Sequence, residues 1–594
     1  MSAVYVARNF ENDVEALADA DKISVWLAVL ELYLGMDTRV RRVDGRVYDI
    51  VVSSKVTIRL DKLGPSVWQL CGLLKGGGSA VISTGAELTL VSSPWIKAKL
   101  GELDYAHVCI DSDHERFVAM KAGGPVSLIG GPGTGKTVIA LNRASRLLTD
   151  FYKETSDRVL LTSYSNTLVH DLKIKMFMML DERDFKRLDV RTIDSLAKEA
   201  CSKLGYRIDY QDDSDLVREC LQKAYKKVDL FLFGGPTDDY VIKSFQEHVL
   251  DYDLTTEEQY RTFLESYKDG DKQKVFRRQL WPLYEVMLYY MEAAKRSYHV
   301  VLRSHAFKVA MKNLSFLPKY RSVVVDEAQD LGAPELKLLA ALTGNTPDSP
   351  QENSIFFVGD GFQRLYGRPA VLGECGFQAR GGRIRHLIRK NYRTTTEIRE
   401  FAERMIRQVK ARNLDGEAQS VTDTESVGHG PAPEVEFFAD YRAMNEAISH
   451  RIRAWRDEDG TGLNTPENYA VLIRNNGVGG ANRQMFLLGQ AKGLSDSGLS
   501  AEPVDWDKQP QDAAAVKVMS MHRSKGLEFE GVVVVLDRWP HEVTHTEDYT
   551  RMELDAMRDS EMCLLFTAMM RARTHLFVTG TDMLAQKKFN AIRS

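Results

Sequence analysis

The chain is 594 residues long, 44% hydrophobic and nearly charge-balanced, with 79 Lys and Arg against 83 Asp and Glu and a formal charge of −4. That length allows roughly four domains, and the charge balance excludes polyanion binding through net charge, so any nucleic-acid groove must be a local patch. Six scattered cysteines without a CxxC pair argue against a zinc site or a disulfide framework and for a reducing, cytoplasmic setting, and no apolar run is long enough to span a bilayer, so no membrane role is expected.

In chain order, residues 1–105 read as a small α+β unit. Helical periodicity from Asp13 to Leu34 gives way to strand-like runs at Arg46 to Val52 and Lys55 to Leu60, then to a helix near Val67 to Leu74, with a break at Gly76-Gly77-Gly78-Ser79. Arg39, Arg41, Arg42, Arg46 and Arg59 could form a basic patch, although a solvated face needs no function.

Val126-Ser127-Leu128-Ile129 reads as a buried strand entering Gly130-Gly131-Pro132-Gly133-Thr134-Gly135-Lys136-Thr137, and an apolar-periodic helix leaves it. The spacing GxxxxGK[ST] is that of a phosphate-cradling loop. Gly131, Gly133 and Gly135, with Thr134 between them, let backbone N–H groups turn inward. Lys136 supplies a cation for the β and γ phosphates, and the Thr137 hydroxyl can ligand Mg²⁺. A chance Gly-rich turn is the plainer alternative.

Residues 201–315 are helix-rich, with an aromatic stretch from Leu280 to Tyr290 that reads as helix core. A β-branched run, Arg321 to Val325, then ends in Asp326-Glu327-Ala328-Gln329-Asp330. Two acids at the carboxyl end of such a strand suit a nucleotide site: Asp326 would hold Mg²⁺ and Glu327 would orient or deprotonate the attacking water. A surface acidic cluster is the alternative. Further carboxyl-end signals follow: Gly359-Asp360-Gly361-Phe362-Gln363 through Tyr366, Asn391-Tyr392-Arg393-Thr394, His522 through Phe529, and Arg571-Ala572-Arg573. Ala411 to Pro433 reads as an exposed polar loop.

The phosphate loop, DEAQD, GDxxQ, NYRT, HRSKGLEF and RAR, in this order across residues 113–580, resemble the motifs of the UvrD/Rep-like branch of superfamily 1 DNA helicases. The resemblance implies an α/β fold with two RecA-like P-loop motor domains. The first would span 106–200 and 316–390, carrying 201–315 as a helical insertion; the second would span 391–594. The interval from Arg474 to Val516 is too short for a full second insertion.

Residue by residue, the resemblance implies that Gln363 senses the γ-phosphate and that Arg393 and Arg571 reach it from the second motor domain. It further implies that Tyr392 stacks on the base, that Glu528 lies near the ribose, and that Tyr164, Asn166, Tyr366 and His522 face single-stranded DNA. Two positions depart from the family. His114 lies where a glutamine reads the adenine edge, and Arg368 where a tryptophan stacks on a DNA base. ATP and Mg²⁺ are the implied cofactors, and single-stranded or tailed DNA the implied track, travelled 3′ to 5′. Repair, replication and phage defence are the implied settings. Members of this branch often carry a domain resembling the RelE/ParE toxins before the motor, so residues 1–105 could serve a protein partner. A protein-remodelling ATPase that leaves duplexes intact and an ATP-gated binding switch are the competing functions.

Overall fold

The computed structural model describes the chain except residues 1, 18, 37–39, 45, 53–55, 65–66, 76–87, 102–111, 122–123, 209–212, 229–235, 251–253, 267–274, 299, 302, 345–353, 365–371, 376, 378–384, 410–423, 459–464, 475–479, 505–514, 538, 541–545, 547–548 and 594. The break at Gly76–Ser79, most of the polar loop after Ala411, Tyr366 and Arg368 therefore lie outside the described residues.

The amino-terminal unit is a six-stranded sheet with helices Arg8–Glu15 and Asp19–Tyr33 on it. Its strand order is Val40–Asp44, Val47–Val51, Val56–Gly64, Val67–Lys75, Ala3–Ala7, Leu88–Leu90. The helix expected at Val67 to Leu74 is instead a strand, antiparallel to Val56–Gly64 on one side and parallel to Ala3–Ala7 on the other. Trp68 and Leu70 are buried while Val67 and Gln69, which alternate with them, are only half-buried, the two-residue period of a sheet.

The first α/β domain carries an all-parallel sheet in the order Arg385–Ile388, Val126–Gly130, Ile355–Gly359, Ser322–Val325, Val159–Thr162, Leu188–Val190. Every residue of the four central strands is buried, as helices on both faces require. Three adjacent strands, Val126–Gly130, Ile355–Gly359 and Ser322–Val325, end side by side. Their carboxyl ends bring Gly130, Asp360 and Asp326 to one rim.

Helices Asp213–Tyr225, Asp238–Ser244, Glu257–Ser266 and Trp281–Tyr298 enclose a separate core that includes Val217, Leu221, Phe245, Trp281 and Tyr284. The second α/β domain has the parallel order Glu434–Phe437, Ala572–Gly580, Phe529–Val535, Tyr469–Ile473, Val516–Ser520, Ala501–Pro503. Between Tyr469–Ile473 and Val516–Ser520 the described residues hold one helix, Gly480–Asp496, and the edge strand Ala501–Pro503. Among the described residues no helix is long and apolar enough to cross a membrane.

Candidate nucleotide site

The turn after Val126–Gly130 needs glycine at two places. Gly133 and Gly135 have φ of 74° and 78°, the left-handed region that other residues rarely adopt. A Cβ on Gly133 would meet Asn391 Oδ1 at 2.1 Å, and one on Gly135 would meet His114 Cε1 at 2.7 Å. The loop is thus clasped from both sides. Tyr392 N–H donates to the Gly133 carbonyl at 2.9 Å, while Asn391 Oδ1 accepts from Arg393 N–H at 2.9 Å and Thr394 N–H at 3.2 Å.

Lys136 is buried at the start of helix Lys136–Arg146 and donates to the Gly130 and Gly131 carbonyls at 2.8 and 2.7 Å. Burial lowers its pKa, against the attraction of Asp360, Glu327 and Asp326. Next along, the Thr137 hydroxyl donates to Asp326 Oδ2 at 2.9 Å. Asp326 is buried, and its second oxygen has no hydrogen-bond partner. Burial, then the neighbouring Glu327 charge, pushes its carboxyl up to about 7. A hydroxyl beside an enclosed carboxylate oxygen left over is a hard donor set, and it fits Mg²⁺.

Glu327 is, among the described residues, the one non-glycine with positive φ, at 53°. Strained backbone of this kind persists where surrounding contacts over-determine it. Burial would raise the Glu327 carboxyl, but Lys525, Lys136 and a hydrogen bond from the Gln329 amide outweigh it and hold the group below the ordinary range. Gln329 gives its amide to Glu327 Oε2 and accepts from Asp360 N–H at 3.0 Å. It ties the two strand ends together.

The second domain supplies the opposite wall. Arg571 is 1% exposed and donates to Gln363 Oε1 at 2.7 Å, and Gln363 donates to Asp360 Oδ2 at 2.9 Å. Burial, with Arg393 nearby, lowers Arg571 to about 10, so it stays cationic at neutral pH. Arg393 pairs with Glu528 at 2.5 Å. Lys525 crosses the cleft to Asp330 and to the Gln363 carbonyl. A cavity of about 850 Å³ between the domains is lined by Gly133, Thr134, Gly135, Lys136, Thr137, Asp326, Glu327, Gln363, Tyr392, Arg393, Glu528 and Arg571. Gly131 stands at the loop's start, behind Lys136.

His114 and Tyr392 meet edge to face at 5.5 Å, beside a second cavity of about 400 Å³ that both line. The described residues expected to face DNA are not among those lining these cavities. Tyr164 is half-buried against the first domain's core, Asn166 is exposed at the start of helix Asn166–Met179, and His522 is half-buried in the turn after Val516–Ser520. The two segments approach each other, since a Cβ on Gly526 would lie 2.3 Å from Leu168. Gln329, Asn391 and Lys525 are the contributors that motif reading leaves without a role. Their polar atoms within matched motifs are the available signal.

Residues 111–370 match the UvrD/REP helicase N-terminal domain family, and residues 499–582 match the UvrD-like helicase C-terminal domain family. Among solved structures, the C-terminal domain of a possible DNA helicase from Lactobacillus plantarum WCFS1 is 18% identical over 34% of this chain and 96% of that chain, with a TM-score of 0.22. No curated protein matches the chain.

Proposed function

The chain belongs to the UvrD-like superfamily 1 helicases, enzymes that hydrolyse ATP and act on DNA, and on that premise we propose a single-stranded-DNA translocase moving 3′ to 5′ by closing two motor domains on ATP. One observation carries this reading: Arg393 and Arg571 from one domain and Lys136, Asp326 and Glu327 from the other line a single cleft. Lys136 and the loop N–H groups hold the β and γ phosphates. Thr137 and Asp326 would hold Mg²⁺, which would neutralise phosphate charge. Glu327 accepts the proton of the attacking water, while Arg393 leaves Glu528, and Arg571 turns from Gln363, to stabilise charge on the transferring group. Gln363 touches Asp360, Arg571 and Lys525, and it relays closure to the loop bearing His522.

Tyr164, Asn166 and His522 form the single-strand track, and hydrolysis alternates the grip of the two domains on it. Translocation coupled to strand separation is the activity this engine serves, and the described part of the 474–516 interval adds one helix and one edge strand to it. The test is steady-state ATPase with and without single-stranded DNA. We expect stimulation in the wild type and a loss of about 10²- to 10⁴-fold in Glu327→Gln with nucleotide binding kept. Turnover retained in Glu327→Gln would remove Glu327 from the chemistry.

A further inference from the structure

The smaller cavity differs in chemistry from the phosphate cleft. It occupies about 400 Å³, Tyr392 lines both it and the larger cleft, and its lining residue His114 lies against the phosphate loop at Gly135. Resting on the reading of that cleft as the triphosphate site, this is where the base of the nucleotide lies. Its polar side chains are His114, Arg116, Arg389, Lys390 and the phenol of Tyr392; among its described lining residues none carries a carboxylate or a carboxamide.

That composition bears directly on purine recognition. Adenine offers a donor and an acceptor, N6–H and N7, and is matched by the paired donor and acceptor of a carboxamide. Guanine offers two acceptors, O6 and N7, and is matched by the donors of Arg or Lys. Arginine and lysine donate only, so they reward O6 and N7 of guanine and have nothing to offer N6–H of adenine. Imidazole presents a donor or an acceptor according to its tautomer, so His114 can serve either purine.

The ring of His114 is held in place. It is 5% exposed, it stands edge-on to Tyr392 at 5.5 Å, and it lies so close to the loop that a Cβ on Gly135 would come within 2.7 Å of it. Tyr392 contributes an aromatic face indifferent to base identity. We propose that this pocket does not select adenine and that the enzyme uses GTP as well as ATP, with His114 as the specificity-determining residue.

The experiment measures kcat/KM for ATP and for GTP on the full chain with saturating single-stranded DNA, and equilibrium binding of ADP and GDP alongside. The expected wild-type values for the two purines lie within about tenfold of each other in both measurements. His114→Gln, which installs a donor and an acceptor together, is expected to raise the ATP-to-GTP ratio by about tenfold or more, the order that one good bidentate base contact supplies. A wild type that prefers ATP and ADP by a hundredfold, or a ratio that His114→Gln leaves unmoved, overturns the proposal. Binding reads the pocket independently of turnover. An enzyme that binds ADP and GDP alike yet hydrolyses neither triphosphate would count against the motor reading and for the pocket.

Discussion

Asp326 sits where the demands of folding and of chemistry oppose each other. Its carboxyl is buried, takes one hydrogen bond from Thr137, and is pushed up to about 7 by burial and by Glu327. Because the folded-state value lies above the ordinary 3.8, the folded protein holds a proton that the unfolded chain has released between those limits. The group's contribution to stability is therefore full below about pH 4 and lost as pH rises through about 7. Asp326→Asn keeps an acceptor for Thr137 and removes the charge. We expect it to raise the melting temperature at about pH 8, by a stabilisation of at most about 4 kcal/mol, with the gain vanishing towards about pH 4. Calorimetry across that range checks it, and a pH-independent difference would refute the electrostatic origin. At this scale the sequence is informative where chemistry is local: eight consecutive residues suffice to locate the phosphate loop. It is silent on Gln329, whose acceptor role depends on Asp360, 31 positions away, and on Lys525, whose partner Asp330 is 195 positions away.

Helix Arg551–Met569 links two distant parts of the molecule. At its start, Thr550 and Glu553 form a reciprocal capping box, and Glu553 also receives Arg277 of the helical unit at 2.5 Å, with His248 at 3.7 Å. Tyr240 and Tyr549 pack edge to face beside the pair at 5.2 Å. Just past its end, Arg571 donates from Nε to the Thr567 carbonyl at 3.0 Å. The helical unit thus grips one end of the helix whose other end anchors a cleft arginine. Glu553→Gln keeps the cap, since glutamine serves in a capping box, but leaves the 3%-exposed Arg277 side chain without its counter-charge. The expected cost is about 3 kcal/mol, and Arg277→Met should add much less in the Glu553→Gln background than alone. Thermal melts of the four proteins of the cycle decide it; additive effects would mean that the two side chains do not interact. Neither residue stands out in the sequence, for both lie outside the matched motifs. Strand Val67–Lys75 is hidden for another reason. Its apolar run suits helix or strand equally, and the choice is made by pairing with Ala3–Ala7, some sixty positions earlier. The buried strands of the two parallel sheets are easier to see, because β-branched runs such as Val323-Val324-Val325 suit little else.

Across the whole molecule, the amino-terminal unit and the first α/β domain share one apolar core. Phe10, Trp26 and Val29 belong to the same contiguous cluster as Ile139, Leu172 and Phe177. The sequence reads residues 1–105 as an accessory unit set before the motor, yet local composition does not report where surfaces pack. Helix Asp19–Tyr33 lies against helix Asn166–Met179: Tyr33 meets Phe177 edge to face at 6.0 Å, and Glu31, 4% exposed, meets His170 at 3.0 Å. From the same unit, the Lys97 ammonium donates to the Leu180 carbonyl and stands 4.9 Å above the Phe177 ring. The helix so braced begins at Asn166, on the segment proposed to meet the DNA strand. The unit is therefore a structural part of the motor, and damage to it should register at the track. Tyr33→Ala is expected to destabilise by about 3 kcal/mol, as loss of a buried aromatic ring does. It should lower the melting temperature of one transition shared by the unit and the first motor domain. It should also weaken single-stranded-DNA binding while the ATPase measured without DNA changes less. A calorimetric trace in which the unit melts alone, with the motor's transition and DNA affinity unmoved, would show instead that residues 1–105 are an appendage.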